Sequence, residues 1–371
     1  MRQLKLIIEG KYLNMHKYSL TLYQYFPLKF TNQMNNKILA ILFSLIAGMT
    51  SCMDKKPVYD TFTGFTQGST YSIVYDNGQN ISPIDLKQNV EKILHDFDMS
   101  LSVYQDSSII SKVNRNEDVV LDSFFIDVFR KSILISQMTD GAFDITVGPL
   151  VRAWGFGPDE HKSFTEAKRD SLLKLVGMDK IALVNGRIIK SLPGVTIDVN
   201  AIAQGYSVDV VCRYFDHRGI KNYLVEIGGE VRAKGKKAGS LWRIGIDKPE
   251  DNNMTPGQTL QGIIRITDRA VSTSGNYRKY YIENGVKYSH EIDPKTGYPA
   301  RNTLLSATIL ADDCTTADGL ATAAMVIGKE RTIKLLGIHP EIEAYLIYSD
   351  ESGNFKTWMS ENLKDKISEE K

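Results

Sequence analysis

The segment SHEIDPKTGYPA, from Ser289 to Ala300, sets a histidine beside a serine and follows it with Asp293-Pro294 and a Gly-Tyr-Pro turn. The chain has only 6 histidines. His290 is either a core histidine that finds a hydrogen-bond partner or a group that handles protons. An imidazole with an ordinary pKa near about 6.5 can take a proton at neutral pH. In the second interpretation, the Asp293-Pro294 turn holds this general base in place.

A second candidate lies in CTTADGLATAAMVIG, from Cys314 to Gly328. Asp318 and Thr322 are four residues apart, so a helix presents both on one face. The rest of that face is apolar, which predicts a buried helix, and a buried carboxylate is costly unless it is paired or bound to a metal. Two oxygen ligands without histidine or thiolate suit a hard cation such as Mg²⁺. The alternative is that Asp318 caps a helix.

Three further segments are candidates for ligand contact. The segment from Thr139 to Pro158 holds four glycines and Trp154, which suits either a ligand-binding loop or a packed structural loop. Asp198 ends a predicted buried strand just before a predicted helix, where its carboxylate either caps that helix or faces a ligand. Gly228-Gly229 lies between two predicted strands and is either a ligand contact or a β-bulge.

The elements that must position these groups alternate between helices and strands. Ser82-Pro83 is a helix start, and further helices are predicted at about 123–139, 165–177, 201–217 and 315–327. Asn185-Gly186 predicts a hairpin, and strands are predicted at 70–76, 222–227, 241–247, 260–267, 277–283, 286–289 and 304–311. Because no regular βαβ repeat is present, the sequence predicts an α+β fold with layered mixed sheets, as one compact domain or with two lobes.

The composition excludes several classes of protein. With 371 residues, 42% of them hydrophobic, the chain can form one large core or two modest ones, as soluble globular proteins do. Its net charge of +1 argues against nucleic acid as a partner, because phosphate binding needs clustered basic residues. Cys212 and Cys314 are far apart in sequence and either pair in an oxidising compartment or remain buried thiols.

The N-terminal region has the pattern of an export signal. From Met34, one lysine precedes an apolar run too short to span a bilayer, and then Thr50-Ser51-Cys52, which resembles a bacterial lipobox. We expect residues 34–51 to be a lipoprotein signal peptide, residues 52–60 to be the lipid anchor and linker, and residues 1–33 to be an upstream extension. The domain at 61–365 would then be tethered to a bacterial membrane through Cys52 and face the periplasm.

Nine segments stand out in order along the chain: QGSTYSI, MSLSVYQDSSIISKVN, GAFDITVGPLVRAWGFG, IDVNAIAQGYSVD, IGGEV, WRIGIDKP, STSGNYRKYY, YSHEIDPKTGYP and ADGLATA. Taken together, they resemble the ApbE family, the FAD:protein FMN transferases. The resemblance covers the chain from about Gly64 to Gly328 and rests on the set of motifs rather than on any one of them. It implies an ApbE-like, T-fold-like arrangement of sheets and helices, and the export signal fits because many members are lipoproteins.

The resemblance implies a specific reaction. Members of the family bind FAD with Mg²⁺ and transfer its FMN half to a Ser or Thr hydroxyl of a partner protein through a phosphoester bond, releasing AMP. The implied partners are flavin-accepting subunits of Na⁺-translocating NADH:quinone oxidoreductase or of related electron-transfer complexes. The open alternatives are a Mg²⁺-dependent FAD pyrophosphatase, which releases FMN and AMP, and a non-catalytic FAD-binding lipoprotein.

The resemblance also implies roles for residues matched by motif position. His290 is the implied catalytic group beside the reacting phosphorus. The implied flavin and ribityl contacts are Tyr104, Ala142, Phe143 and Asp144, the implied adenosine or phosphate contacts are Asp198 and Gln204, and Ile292 closes over the ligand. The implied Mg²⁺ ligands are the carbonyl of Ala201, Asp318 and Thr322.

Three positions depart from the family's pattern. Gln67 stands where relatives commonly have Met at the border of the flavin site, and Gln204 stands where Lys or Glu is frequent. Ala321 lies where some relatives carry a second acid. We expect these differences to influence the balance between transfer and hydrolysis.

Overall fold

The computed structural model describes residues 58–156, 164–250, 253, 257–277, 280–283 and 286–369, with the side chains of 281–283 and 286–288 left out. These residues belong to one compact unit, Pro57–Lys371. The expected upstream extension, the signal peptide and Cys52 lie outside the described residues and stay predictions. Within the described ranges, no helix combines the length and apolar character needed to cross a membrane.

Strands in the described residues run in chain order as β1 (Tyr59–Thr66), β2 (Ser69–Asp76), β3 (Ile181–Val184), β4 (Arg187–Lys190), β5 (Tyr223–Ile227), β6 (Glu230–Lys234), β7 (Trp242–Asp247), β8 (Leu260–Ile266), β9 (Arg269–Gly275), β10 (Tyr280–Glu283), β11 (Val286–Ser289), β12 (Leu304–Ala311), β13 (Glu343–Ser349), β14 (Phe355–Met359) and β15 (Ile367–Glu369). The main sheet has eight strands in the order β1-β2-β5-β6-β9-β12-β13-β14. β15-β8-β7 form a second sheet, and β3-β4 and β10-β11 form two hairpins. Every strand pair described is antiparallel.

The helices are α1 (Pro83–Leu101), α2 (Ile109–Asn114), α3 (Ser123–Met138), α4 (Gly148–Ala153), α5 (Glu166–Leu173), α6 (Ala203–His217) and α7 (Cys314–Ile338). The side chain of Ser82 accepts a hydrogen bond from the N–H of Asp85, so the predicted cap of α1 is present. Asn185 and Gly186 both have positive φ, as the predicted β3–β4 hairpin turn requires. The predicted α+β class is confirmed.

Among the boundaries that differ from the sequence expectation, two bear on the site. The segment around Asp198 is not a strand: its N–H donates to the carbonyl of Ile145, but no ladder forms, and α6 begins only at Ala203. α7 was expected to end near residue 327, but the chain makes a kink at Gly328 (φ 77, ψ 173) and continues helical to Ile338. The kink is possible because glycine tolerates positive φ without a Cβ clash.

The core lies between the main sheet and the helices. α7 packs on β9 and β12 and against α3 and α6. The cluster around it buries Phe129, Ile135, Leu320 and Leu346 almost completely. Cys212 and Cys314 are both buried and free, so the buried-thiol alternative describes them, and burial raises the pKa of each thiol. α6 and α7 are therefore held side by side in a buried part of the described structure.

Candidate active site

The contact between α6 and α7 places a carboxylate at the start of a helix. Asp318 Oδ2 accepts a hydrogen bond from the backbone N–H of Gly205 at 2.9 Å. Gly205 is the third residue of α6, and Ile202, which precedes that helix, provides no side-chain cap. An acceptor at this position satisfies an N–H without a helical partner and interacts favourably with the helix dipole. Asp318 therefore does cap a helix, although the helix is α6 and not its own.

The carbonyl of Ala201 lies just before this helix. Ile202 precedes the first residue of α6, and its carbonyl accepts from Tyr206 N at 3.1 Å. The helix therefore does not use the Ala201 carbonyl as an acceptor, and the N–H of Gly205, which belongs to the first turn, donates to Asp318. Thr322 lies one turn after Asp318 on α7, with its Oγ1 3.4 Å from Ser274 Oγ on β9. The three predicted metal ligands thus lie where α7 packs against α6, two of them on α7 and Ala201 just before α6.

The oxygen ligands available at this junction fit a hard divalent cation. They are one carboxylate, one hydroxyl and one carbonyl, and oxygen atoms are the ligands that Mg²⁺ takes. Among the described residues, no cluster of three or more His, Cys, Asp or Glu side chains could hold a metal. A cation at this junction would therefore keep several positions for water or for substrate oxygens, as Mg²⁺ commonly does.

The electrostatics of Asp318 reflect its burial. Only 6% of the residue is exposed. Burial raises the pKa of Asp318 to about 7, the hydrogen bond donated by Gly205 N–H opposes the rise, and the neighbouring carboxylate of Asp209 adds to it. A cation bound beside this carboxylate would favour its ionised form.

Gly205 controls how closely α6 approaches Asp318. A Cβ at residue 205 would overlap the carbonyl oxygen of Cys314 and lie 2.6 Å from Asp318 Cβ. We expect Gly205→Ala to destabilise the fold by about 1–3 kcal/mol, because the added methyl must push the helices apart. The matched control is Gly337→Ala on α7, where an added Cβ meets nothing within 4 Å. That change should be neutral or stabilise by up to about 1 kcal/mol. Urea unfolding of both variants measures the difference, and equal effects would contradict the close-packing argument.

The segment Ala142–Asp144 connects α7 to a cavity. Phe143 is buried in the core, and its ring approaches Gly319, next to Asp318. Its side chain is thereby committed to packing, so a ligand contact at this position would come from the main chain. The carboxylate of Asp144 accepts hydrogen bonds from Thr146 N at 2.7 Å and from Thr146 Oγ1 at 2.6 Å. Burial raises the pKa of Asp144, and these hydrogen bonds oppose the rise.

A cavity of about 430 Å³ lies beside Asp144. Gly141 and Asp144 line one part of it, Gly177 and Met178 another, and the Pro294-Lys295 turn a third. Its volume falls within the range of roughly 300–1,000 Å³ typical of small-molecule sites. Asp144 and the turn that follows His290 therefore line the same cavity.

His290 is not a core histidine. Its side chain is 37% exposed, and its ring meets that of Phe156 edge-on at a centroid distance of 6.3 Å. The turn after it is closed by hydrogen bonds from Asp293 N to Tyr298 O and from Gly297 N to Asp293 O, both at 2.8 Å. Trp154 Nε1 donates to the carbonyl of Gly297 at 2.8 Å and ties this turn to α4. The turn predicted beside His290 is therefore present and is closed by these hydrogen bonds.

The predicted adenosine or phosphate contacts lie near the start of α6. Asp198 Oδ1 accepts a hydrogen bond from Asn200 N at 3.0 Å, so its carboxylate caps a turn and not the helix. Burial raises the pKa of Asp198, and the hydrogen bond from Asn200 N and the nearby charge of Arg152 oppose part of this rise. The Gln204 side chain lies directly over Gly228, where any Cβ would overlap its amide. Gly228-Gly229 forms the tight turn between β5 and β6 and leaves room for Gln204.

Gln67 joins the same region. It occupies the β1–β2 turn with a positive φ of 51°, and its Oε1 lies 3.4 Å from Ser207 Oγ on α6. Its Nε2 is buried without a hydrogen-bond partner in the part of the chain that the structure describes. Two of the three positions that depart from the family's pattern, Gln67 and Gln204, therefore lie on one side of the α6 start.

The predicted site residues thus form two groups and one outlier. The first group surrounds the start of α6 and consists of Asp198, Ala201, Gln204, Asp318 and Thr322. The second consists of His290 and Ile292 at the turn that lines the cavity, where Ile292 is buried against Leu150 and Trp154. Ala142–Asp144 lies between the groups, and within the described residues no direct contact joins His290 to Asp318. Tyr104 is 64% exposed, and no contact described for it reaches either group.

Glu291 is a residue of this site that the sequence interpretation missed. Its buried carboxylate lies beside His290, with Oε1 3.3 Å from His290 Nδ1. The available signal was an acidic residue directly after the candidate base. In a β-strand, the side chains of consecutive residues point to opposite faces. The sequence pattern therefore gave no reason to expect a contact between His290 and Glu291.

This fold and this arrangement of residues define the class of the protein: the chain belongs to the ApbE family, whose family model matches residues 67–346. It is similar to the FAD:protein FMN transferase of Vibrio cholerae serotype O1, with 36% identity over 309 residues, which cover 81% of this chain and 91% of that protein. It is also similar to the FAD:protein FMN transferase of Haemophilus influenzae, with 35% identity over 329 residues, 85% of this chain and 93% of that protein. The predicted family is confirmed.

Solved structures show the same fold. The flavin transferase ApbE from Vibrio cholerae superposes with a TM-score of 0.75 at 35% identity, covering 83% of this chain and 99% of that chain. The apo form of the Pseudomonas stutzeri flavinyl transferase ApbE gives a TM-score of 0.76 at 32% identity, covering 85% of this chain and 98% of that chain. The ApbE-like arrangement predicted from the motifs is therefore confirmed.

Proposed function

We propose that this protein is an FAD:protein FMN transferase. It moves the FMN half of FAD onto a Ser or Thr hydroxyl of a partner protein through a phosphoester bond and releases AMP. The observation that supports this most strongly is the junction of α6 and α7, where Asp318, Thr322 and the Ala201 carbonyl offer oxygen ligands beside a helix N-terminus. Relatives that carry this name match the chain over more than four fifths of its length.

The start of α6 suits the pyrophosphate of FAD. A helix N-terminus attracts anions through its unpaired N–H groups and its dipole. Asp318, Thr322 and the Ala201 carbonyl would hold Mg²⁺, which when bound acts as a Lewis acid that offsets charge on the phosphates. Gln204, over Gly228, would contact the adenosine or phosphate portion. The cavity beside Ala142–Asp144 would take the flavin and ribityl portion, and Ile292 would close over the ligand.

The chain's own part in the reaction is to orient the acceptor and to move one proton. His290 Nε2 takes the proton of the acceptor hydroxyl as its oxygen attacks the FMN phosphorus. A new O–P bond forms, and the bond from that phosphorus to the bridging oxygen breaks. AMP leaves with the electron pair of the broken bond, and His290 carries the proton until it is released to water or to the AMP phosphate. A general base of this kind contributes about 10²–10⁴-fold to the rate.

The cellular setting is part of the same proposal and rests on the sequence. Residues 34–51 act as a lipoprotein signal, Cys52 carries the lipid, and the catalytic domain faces the periplasm at a bacterial membrane. The partners are flavin-accepting subunits of Na⁺-translocating NADH:quinone oxidoreductase or of related electron-transfer complexes. Labelling cells with a radioactive fatty acid tests the anchor: wild type should be labelled and Cys52→Ser should not.

The decisive experiment combines purified mature protein, FAD, Mg²⁺ and a candidate acceptor subunit. We expect the acceptor to gain the mass of one FMN, with an equal amount of AMP released. Free FMN and AMP with an unmodified acceptor would replace this proposal with an FAD pyrophosphatase. Bound FAD without either product would leave a non-catalytic flavin-binding lipoprotein.

A further inference from the structure

We propose that Glu291 is a positioning residue that orients the His290 ring and stabilises its protonated form. The proposal rests on the proposed function, because it assigns Glu291 a part in the proton transfer at His290. The observation behind it is a contact between the buried carboxylate of Glu291 and the partly exposed imidazole of His290. The two residues are consecutive and lie just before the Asp293-Pro294 turn.

The Glu291 carboxylate is buried in an unusual way. Only 2% of its side chain is exposed, and its Oε1 lies 3.3 Å from His290 Nδ1. In the described part of the chain, neither of its oxygens accepts a regular hydrogen bond. Burying an ionised carboxylate is costly unless a charge or a donor compensates it. A protonated imidazole at this distance is such a compensating group, so the contact is strongest in the state that His290 reaches during the reaction.

The backbone holds Glu291 firmly in this orientation. Its carbonyl accepts a hydrogen bond from Ala300 N at 2.8 Å, and the next residue, Ile292, pairs with Pro299 across the turn. At 3.3 Å, Glu291 Oε1 and His290 Nδ1 are within ion-pair distance, but they do not form a regular hydrogen bond in the described residues. Catalytic hydrogen bonds are often long before substrate binds and shorten in the complex. The carboxylate is therefore placed in advance on one side of the imidazole.

The contact determines which nitrogen is left to act as the base. A carboxylate facing Nδ1 favours the tautomer with the proton on Nδ1, so the lone pair is on Nε2. When Nε2 takes the proton of the acceptor hydroxyl, the ring becomes an imidazolium, and the charge of Glu291 stabilises it. No proton passes to Glu291 in this step. Orientation of a base by a third group is a general feature of such sites.

A second His–Glu contact provides a matched control. His339 Nδ1 lies 3.2 Å from Glu341 Oε1, at the end of α7 and outside the residues that line the cavity. Glu341 is 58% exposed at its side chain, whereas Glu291 is almost fully enclosed. The two contacts have nearly the same length but differ in burial and in place.

Steady-state kinetics give the first test. We expect Glu291→Leu to lower kcat for FMN transfer by about 10–100-fold, the usual cost of removing a group that orients a reactive side chain. The KM for FAD should stay within about threefold, because the proposed role of Glu291 acts on the His290 ring and not on FAD. Glu291→Gln keeps an oxygen that can accept from Nδ1–H but loses the charge, so its kcat should lie between that of wild type and that of Glu291→Leu. Glu341→Leu should match wild type, and melting curves show whether each variant is folded.

The second test does not depend on activity. In protein with ¹⁵N-labelled histidine rings, the ring nitrogen shifts report the tautomer, and His290→Ala assigns the His290 signals. We expect the Nδ1–H tautomer in wild type and in Glu291→Gln, and the Nε2–H tautomer in Glu291→Leu. An unchanged tautomer or an unchanged kcat in folded Glu291→Leu would each overturn the proposal. If wild type transferred no FMN at all, the proposed function would fail, while the tautomer comparison would still decide the contact.

Discussion

Replacing His290 with alanine is expected to slow FMN transfer to the acceptor by about 10²–10⁴-fold, the usual loss when a general base is removed. His290 is partly exposed beside a turn held by hydrogen bonds at both ends, so its removal should leave the fold intact. FAD binding should change little, because the lost group acts on the acceptor hydroxyl. The measurement is the initial rate of mass gain on the acceptor at saturating FAD and Mg²⁺, with AMP release followed in parallel.

Two further variants sharpen this result. His290→Asn keeps a polar side chain of similar reach but cannot take a proton at neutral pH, so we expect it to be as slow as alanine. His95→Ala removes an exposed histidine from α1 and should transfer FMN at the wild-type rate. Transfer by His290→Ala within a few-fold of wild type would show that another group accepts the proton.

The second large effect is expected for Asp318→Asn. The amide keeps an oxygen that can accept from Gly205 N–H, so the cap of α6 survives, but the charge that would attract a cation is gone. A Lewis-acid cation supplies several kcal/mol in reactions of this type, and about 1.4 kcal/mol is tenfold in rate. We therefore expect transfer to fall by about 10²–10³-fold and its dependence on Mg²⁺ concentration to flatten.

Metal binding itself provides a readout besides activity. Calorimetric titration of Mg²⁺ into protein with FAD should show binding in wild type and weak or no binding in Asp318→Asn. Thr322→Val removes a neutral ligand and should weaken binding less. Thr332→Val is its control, because Thr332 Oγ1 donates to the carbonyl of Gly328 in its own helix. A Mg²⁺ titration of Asp318→Asn identical to that of wild type would remove Asp318 from the metal site.

The sequence correctly predicted helix starts and turns that are set by one or two neighbouring residues. Ser82-Pro83 begins α1 and Asn185-Gly186 makes the β3–β4 turn, because a cap and a positive φ are properties of one or two side chains. β13 was not predicted. It lies inside the main sheet, with its first five residues buried, so it lacks the alternation of polar and apolar residues by which a half-buried strand is recognised.

The sequence by itself was enough to identify the ApbE family and the α+β class and to place Asp318 and Thr322 on one face of a helix. Ordered motifs and helical spacing can be read directly from the order of residues. Only the tertiary structure decided that Asp318 caps α6 through Gly205, a residue 113 positions away, just after Ala201 in the chain. It also decided that Glu291 is buried against His290. The physical reason is that burial and hydrogen bonding between distant segments depend on how whole elements pack, and no local pattern of residues contains that information.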